Sequence, residues 1–436
     1  MSHRIVVVGG GAGGLELVTR LGRTLGKSGR ADVTLIDGQM THLWKPLLHE
    51  VAAGSLDAAR DKLNFVVHAK WNHFAFQLGT LCGLDRDNRL IRLAPILDDL
   101  GKELMPTRMI PYDTLVLAVG STTNDFNTPG VAEHCLFLDT PQEAKRFHRR
   151  LLQHYLAAQA SQGEGESGEE RLSIAIVGAG ATGVELAAEL RAAAGQLAEY
   201  GLDSIAPDGM RITLVDAGPR ILPALAPEIG ESVRVALAKM GVTVLTSTMI
   251  SGATAEGLTT RAGYRIPASL KVWAAGICAP RVLSGLDGLE TNRLNQLRVL
   301  TTLQTTRDEN IFAIGDCAAC PISDHDERLV PPRAQAAHQQ AELLARSLVR
   351  RVEARPLLKY RYRDQGSVIS LSRFTAVAQL MGTLFGRVNL SGRLARLLYS
   401  SLYRMHQVSV YGPVRAALLI VANLIGRRAS PDLKLH

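Results

Sequence analysis

The chain has 436 residues, 46% hydrophobic and 21% charged, a balance that excludes disordered, collagen-like and polytopic membrane proteins. Its length exceeds what a single core serves, about 250–300 residues, so two or more domains are expected. The net charge of +8 is unevenly spread: from Arg346 onward sixteen Lys/Arg face three Asp/Glu, a net +13, which leaves −5 on the first 345 residues. A basic end on an acidic body points to an anionic partner there, either nucleic acid or a membrane surface. Five irregularly spaced cysteines, with no leader ahead of them, point to a reducing cytosolic compartment.

Residues 4–9, RIVVVG, read as a buried strand, so no secretory apolar region precedes the fold. The strand runs into GGGAGGLELV, where Gly9, Gly11 and Gly14 hold GxGxxG spacing before an apolar-periodic helix. Such glycines supply a tight turn, close approach of backbone to a pyrophosphate and close helix-on-strand packing, with the helix N-terminus facing the phosphates. A second β-rich run, DVTLID, ends at Asp37, where a carboxylate would hydrogen-bond an adenosine ribose. Two strand-to-glycine turns, YDTLVLAVGS (112–121) and LKVWAAGI (270–277), read as places where the chain crosses between domains. Residues 161–170, SQGEGESGEE, read as a polar acidic linker.

The glycine device then recurs. LSIAIVGAGATGVELAAEL sets Gly178, Gly180 and Gly183 between a strand and a helix, and RITLVDAG brings a second acid, Asp216. This acid lies 33 residues past Gly183, because the crossover that includes AAAGQLAEYGLDSIAPDGM is long. An acid there favours a free 2′-hydroxyl and repels a 2′-phosphate, hence NADH over NADPH. Further on, NIFAIGDCAA (310–319) delivers Gly315 and Asp316 at a strand end, suited to the ribityl and phosphate portion of a flavin. This arrangement resembles the two-dinucleotide-binding-domain flavoproteins, with FAD on the first loop and NADH on the second. The expected fold is α/β, with two Rossmann-like domains in a glutathione-reductase-like plan. Residues 1–125 and 286–345 would form the FAD-binding domain, 126–285 an inserted NADH-binding domain, and 346–436 a basic, amphipathic membrane-association region.

The stretch THLWKPLLHEVAAGSL (41–56) contains no cysteine, which excludes a redox disulfide just after the first ribose acid. Cys317 and Cys320 form a CxxC that could be a dithiol, half a zinc site or small buried packing; the last reading is preferred and no metal site is assigned. In VPPRAQAAHQQAELLA, Pro331 and Pro332 open a helix on which Gln335 and Gln339 share a face. Small neighbours leave room there for a flat ring, with the amides free to bond a quinone carbonyl; an ordinary Ala-rich helix is the competing reading.

The basic region supplies two amphipathic stretches. GRLARLLYSSLYRMH (392–406) places leucines on one face and arginines on another, with tyrosines at the boundary; VRAALLIVANLIGRRAS (414–430) is a second apolar insertion bounded by arginines. The latter is too short for a bilayer span, which needs about 20 apolar residues. Residues 387–436 therefore read as an interfacial anchor on an anionic lipid surface, in preference to nucleic acid. Helices covering a homodimer interface remain an alternative.

Taken together, VVVGGGAGGLE, HLWKPLLHEVAAGSLD, GSTTNDFNTPGV, VGAGATGVEL, VWAAGI, LQTTRD, AIGDCAACP, VPPRAQAAHQ, YRMHQ and LKLH cover nearly the whole chain and resemble the type II NADH dehydrogenases. The resemblance implies a peripheral respiratory NADH:quinone oxidoreductase on the cytoplasmic face of a bacterial inner membrane, without proton pumping. It carries FAD onto Gly9, Gly11, Gly14, Asp37 and Asp316. It carries NADH onto Gly178, Gly180, Gly183 and Glu185, and a quinone-side AQxAxQ motif onto Gln335 and Gln339. Many members have Glu where this chain has Asp216. Glu185, on the first turn of its helix, is expected to position nicotinamide or take part in proton delivery. Two rivals stay beside this reading: a sulfide:quinone oxidoreductase-like flavoprotein, and a cysteine-based redox or copper-linked flavoprotein.

Overall fold

The computed structural model describes residues 2–56, 62–161, 172–200, 209–371, 376–382, 386–391 and 404–429. The chain falls into two units, one made of residues 1–44, 62–122 and 277–363, the other of 45–61, 123–276 and 364–436.

A six-stranded sheet forms the middle of the first unit, in the order Gln304–Thr305, Asp308–Ala313, Thr114–Leu117, His3–Val8, Ala31–Asp37 and Ala75–Leu78. Its neighbours are parallel except for the edge pair at 304–313. Ile5, Val6, Val7, Leu115 and Val116 are all buried, so successive residues on both faces are covered. That is why these strands read as unbroken apolar runs rather than alternating ones. Helix Ala12–Leu21 packs on helix Ala334–Val352, where a Cβ at Gly13 would sit 3.2 Å from the Ala337 carbonyl oxygen. Small residues at this crossing let the two backbones close up.

The second unit repeats the local plan. Its parallel sheet runs Val242–Leu245, Arg211–Val215, Ser173–Val177, Leu270–Trp273. In each unit the strand entering the glycine loop is flanked by the strand ending in the acid and by a strand ending in a glycine turn. Two of the unit boundaries, 122/123 and 276/277, fall at those glycine turns.

The structure draws other boundaries differently from the sequence reading. Residues 45–61 belong to the second unit, because helix Leu48–Ala53 packs on helices Pro141–Ser161 and Ala181–Glu199 and buries His49, Val51, Ala52 and Ala53. A side chain at Gly54 would meet the His148 ring at 2.3 Å. The break expected at 346 lies inside helix Ala334–Val352, whose apolar face continues through Leu344 and Leu348.

Toward the C-terminus, residues 404–411 are helical and are followed by helix Pro413–Ala429. Val414, Leu418 and Val421 are 73%, 66% and 54% exposed. Among the described residues no helix is long and apolar enough to cross a membrane. Residues 392–403 of the expected interfacial helix, and 162–170 of the acidic linker, lie outside the described residues.

Candidate active site

In the first loop, Gly9 has φ +103° and a Cβ there would lie 2.4 Å from the Ala118 carbonyl oxygen; one at Gly14 would lie 1.9 Å from the Gly9 oxygen. Both glycines are therefore required by the protein itself. Gly11 is different: a Cβ there meets nothing among the described residues within 4 Å. The fold gives no reason for glycine at that position, whereas a ligand approaching the backbone does. Helix Ala12–Leu21 begins with no side-chain cap and no acid in its first turn, which leaves its N–H groups to bind an anion. Gly10 was not singled out from sequence, yet a Cβ there would strike the Phe65 ring at 2.4 Å.

Asp37 accepts from Gly10 N at 2.6 Å and from Gln39 N at 2.8 Å. Two backbone donors fix the carboxylate and leave lone pairs for ribose hydroxyls. Burial nevertheless raises its pKa, against the pull of those donors. His42, also missed from sequence, is buried with Nδ1 2.9 Å from the Gly10 oxygen, and burial lowers its pKa to about 4, so the ring is neutral.

Gly315, at φ +73°, opens the turn to Asp316. Ser121 Oγ donates to Asp316 Oδ2 at 2.8 Å, and Gln296 Nε2 donates to the Asp316 carbonyl at 2.8 Å. Gly315 N donates to Gln340 Oε1 at 2.7 Å. Thus the buried amide on this helix is Gln340, next to the two that the sequence singled out. Gln335 is partly buried and is itself engaged in an interaction. Gln339 Nε2 donates to the Arg363 carbonyl at 2.8 Å, while its Oε1 accepts from Arg363 N at 3.1 Å and from Tyr360 Oη at 3.4 Å. Its amide is therefore held by residues 360–363 and is not free in the way expected for a quinone ligand.

The second loop repeats the first almost atom for atom. Gly178 has φ +105° and a Cβ there would sit 2.6 Å from the Ala274 oxygen; one at Gly183 would be 1.9 Å from the Gly178 oxygen, and one at Gly180 meets nothing among the described residues within 4 Å. Asp216 accepts from Ala179 N at 2.6 Å and Gly218 N at 2.7 Å, as Asp37 does from Gly10 and Gln39. Helix Ala181–Glu199 likewise starts without a side-chain cap or an acid in its first turn. Both loops fit a dinucleotide by the same test.

Glu185 corrects the sequence reading in one respect. The helix begins at Ala181, so Glu185 enters the second turn, and the helix N-terminus does not set its charge. It is 7% exposed, accepts from Ser370 N at 3.0 Å, and has its pKa raised to about 8, chiefly by burial. His49 Nδ1 lies 3.6 Å from Glu185 Oε2, a separation that suggests an ion pair. Burial lowers the His49 pKa to about 4, however, so near neutral pH the imidazole is uncharged and the carboxyl largely protonated. We therefore read the contact as a neutral one.

Cys317 and Cys320 are free, fully buried thiols, and burial raises both pKa values to about 12. Since a thiolate is the reactive form, this burial beside the Gly315 turn disfavours thiol chemistry at the pair.

The family described as pyridine nucleotide-disulphide oxidoreductase matches residues 3–341. The type II NADH:quinone oxidoreductase of Haemophilus influenzae is 46% identical over 444 residues, covering 99% of each chain. NdhA of Mycobacterium tuberculosis, named a type II NADH:quinone oxidoreductase, is 28% identical and covers 98% of this chain and 88% of its own. Among solved structures, NDH2 of Plasmodium falciparum in complex with NADH matches at TM-score 0.80 with 18% identity, over 94% of this chain and 97% of that one. The sulfide:quinone oxidoreductase of Aquifex aeolicus matches at TM-score 0.71 with 16% identity, over 95% and 92%. At such identities these two structures share the fold alone. With paired glycine loops, each closed by its own acid, and a full-length relative at nearly half identity, the chain belongs to the type II NADH:quinone oxidoreductases, within the pyridine nucleotide-disulphide oxidoreductase family.

Proposed function

We propose that this protein is a FAD enzyme that oxidises NADH and reduces a membrane quinone in a respiratory chain, without pumping protons. The observation that carries the reading is the pair of complete glycine loops, each with a middle glycine whose open surroundings leave room for a ligand at an uncapped helix N-terminus. When bound, FAD supplies the two-electron carrier between the substrates. Gly9, Gly11 and Gly14 admit its pyrophosphate to the helix N-terminus, Asp37 takes the adenosine ribose, and Gly315 with Asp316 meets the ribityl phosphate. Gly178, Gly180 and Gly183 do the same for NADH. Asp216 bonds the ribose and repels a 2′-phosphate.

A hydride from NADH and one proton from solvent convert quinone to quinol. Glu185, buried and protonated near neutral pH, holds a proton that it can deliver. Gln335 is the amide we assign to the quinone side, and Gln339 positions it by anchoring the helix to residues 360–363. The thiol-based alternatives lose their support because the Cys317 and Cys320 thiols are buried and protonated. The sulfide-linked alternative leaves the intact second loop without a purpose.

The exposed apolar side chains of helix Pro413–Ala429, with Arg415 among them, support docking on an anionic membrane surface, which we assign to the cytoplasmic side. A second copy of the chain is the other occupant that this face would suit. Sealed vesicles of anionic lipid loaded with ubiquinone and a pH dye test the whole proposal. The FAD-loaded protein is expected to float with the vesicles and oxidise NADH with no change in lumen pH. Leu418→Asp with Val421→Asp is expected to leave the vesicles and keep activity toward a soluble short-chain quinone. A lumen pH change would overturn non-pumping, and flotation of the double variant would overturn the helix as an anchor.

A further inference from the structure

Four contacts fix the start of helix Ala334–Val352 within the first unit. Ala337 packs on Gly13, Gln339 holds Arg363, Gln340 holds Gly315 N, and His338 Nδ1 bonds Glu16 Oε2. The last partner is unusual: the Glu16 side chain is completely buried on helix Ala12–Leu21, the helix that opens at the first glycine loop. Its other oxygen, Oε1, takes Arg20 at 2.8 Å. A buried carboxylate that loses a cationic partner is strongly destabilised, so His338 and Arg20 together keep this charge in place.

We infer that His338 is a positioning residue, whose charged pair with Glu16 sets the helix carrying Gln335 against the helix of the first glycine loop so that quinone is reduced efficiently. The inference rests on the NADH:quinone reading. Of the four contacts only this one can change with pH. The titratable and charged groups that face His338 are Glu16, Arg20 and Glu342; bonding to Glu16 raises the His338 pKa against the opposing effect of burial. A raised value means the pair is complete below the ordinary histidine pKa of 6.5 and weakens as pH rises through the folded value. The bond does not vanish then, because a neutral ring can still donate from Nδ1. It passes from a charge-assisted bond to one with an uncharged donor, roughly half as strong. Gln335 lies one turn from His338, and a shift of about 1 Å in a positioning group can cost up to about 100-fold in rate.

Two variants test this. Reoxidation of the reduced, FAD-loaded protein by short-chain ubiquinone is measured from about pH 6 to about pH 9.5, a span covering the histidine transition. The ratio of wild type to His338→Gln is expected to be about fivefold at the acid end and to approach about one at the alkaline end. The ratio of His338→Arg, which keeps a permanent cation, to wild type is expected to rise with pH. Flavin bleaching by NADH should show no such trend. Hydrogen exchange of the amides in residues 334–345, corrected for intrinsic rates, supplies a readout apart from activity: protection declines with pH in wild type and is flat in both variants.

A pH-independent ratio, or equal loss in both half-reactions, would make the pair merely structural and overturn the inference. Should His338→Gln fail to fold, His338→Arg and wild type decide alone. If quinone fails to reoxidise wild type at every pH, the functional reading falls, while hydrogen exchange still judges the pair.

Discussion

Gly180→Val is expected to leave the protein folded and to weaken NADH binding severely, whereas Gly183→Ala, a smaller change three residues on, is expected to destabilise the second unit. At 180 the backbone is extended (φ −73°, ψ −171°) and nothing among the described residues lies within 4 Å of the position a Cβ would take, so the fold there tolerates a side chain. The stability cost should stay below about 1 kcal/mol, the range for an exchange at an N-cap. The valine would fill the space through which a pyrophosphate reaches the helix N–H groups, and NADH affinity should fall by about 100-fold or more. At 183 a methyl would sit 1.9 Å from the Gly178 oxygen, and strand and helix would have to separate. Overpacking typically costs about 1–3 kcal/mol, and this contact, backbone against backbone, belongs at the upper end. Thermal unfolding with an NADH titration separates the two effects. Retained NADH affinity in Gly180→Val would mean that the second loop is a structural remnant.

Glu185→Gln is expected to lower NADH:quinone turnover by about 100-fold, the lower end for loss of a proton-transfer group, with little change in NADH affinity. Glutamine keeps an acceptor for Ser370 N and nearly the same shape, so the folded site survives. The same variant tests the electrostatics. The folded pKa of about 8 lies above the ordinary 4.5, so between these values the native protein holds a proton that the unfolded chain has released. Stability contributed by that proton is therefore lost as pH rises across the window. Glutamine removes this slope, and the melting temperature of the variant should gain on wild type steadily from the acid to the alkaline end. Parallel curves would show that Glu185 titrates as an ordinary carboxyl.

Both glycine loops, and the strand-end acids Asp37 and Asp216 that bond to their backbone, were legible in sequence because their geometry is local: strand, turn, helix and acid follow one another within a single βαβ unit. Other features depended on distant partners. Gly10 needs to be glycine because Phe65 packs over it, and the partners of Gly9 and Gly178 are Ala118 and Ala274, at the ends of strands far along the chain. On helix Ala334–Val352, Gln335 and Gln339 share a face by period, but which face turns inward was not legible; the buried amide is Gln340, about 100° around the helix from Gln339. Glu16 reads as a lone acid in an apolar helix until His338 is seen beside it, more than 300 residues away. Residues 45–61 look continuous with the first loop, and only the helices they bury against assign them to the second unit.

The measurement that tests the central claim most directly is anaerobic stopped-flow on the yellow, FAD-loaded protein, mixed first with NADH and then with short-chain ubiquinone. Fast bleaching by NADH followed by fast reoxidation by the quinone is the expected result, since it requires both loops to be in use. Bleaching by sulfide but not by NADH, or a reduced flavin that quinone leaves unoxidised, would contradict it.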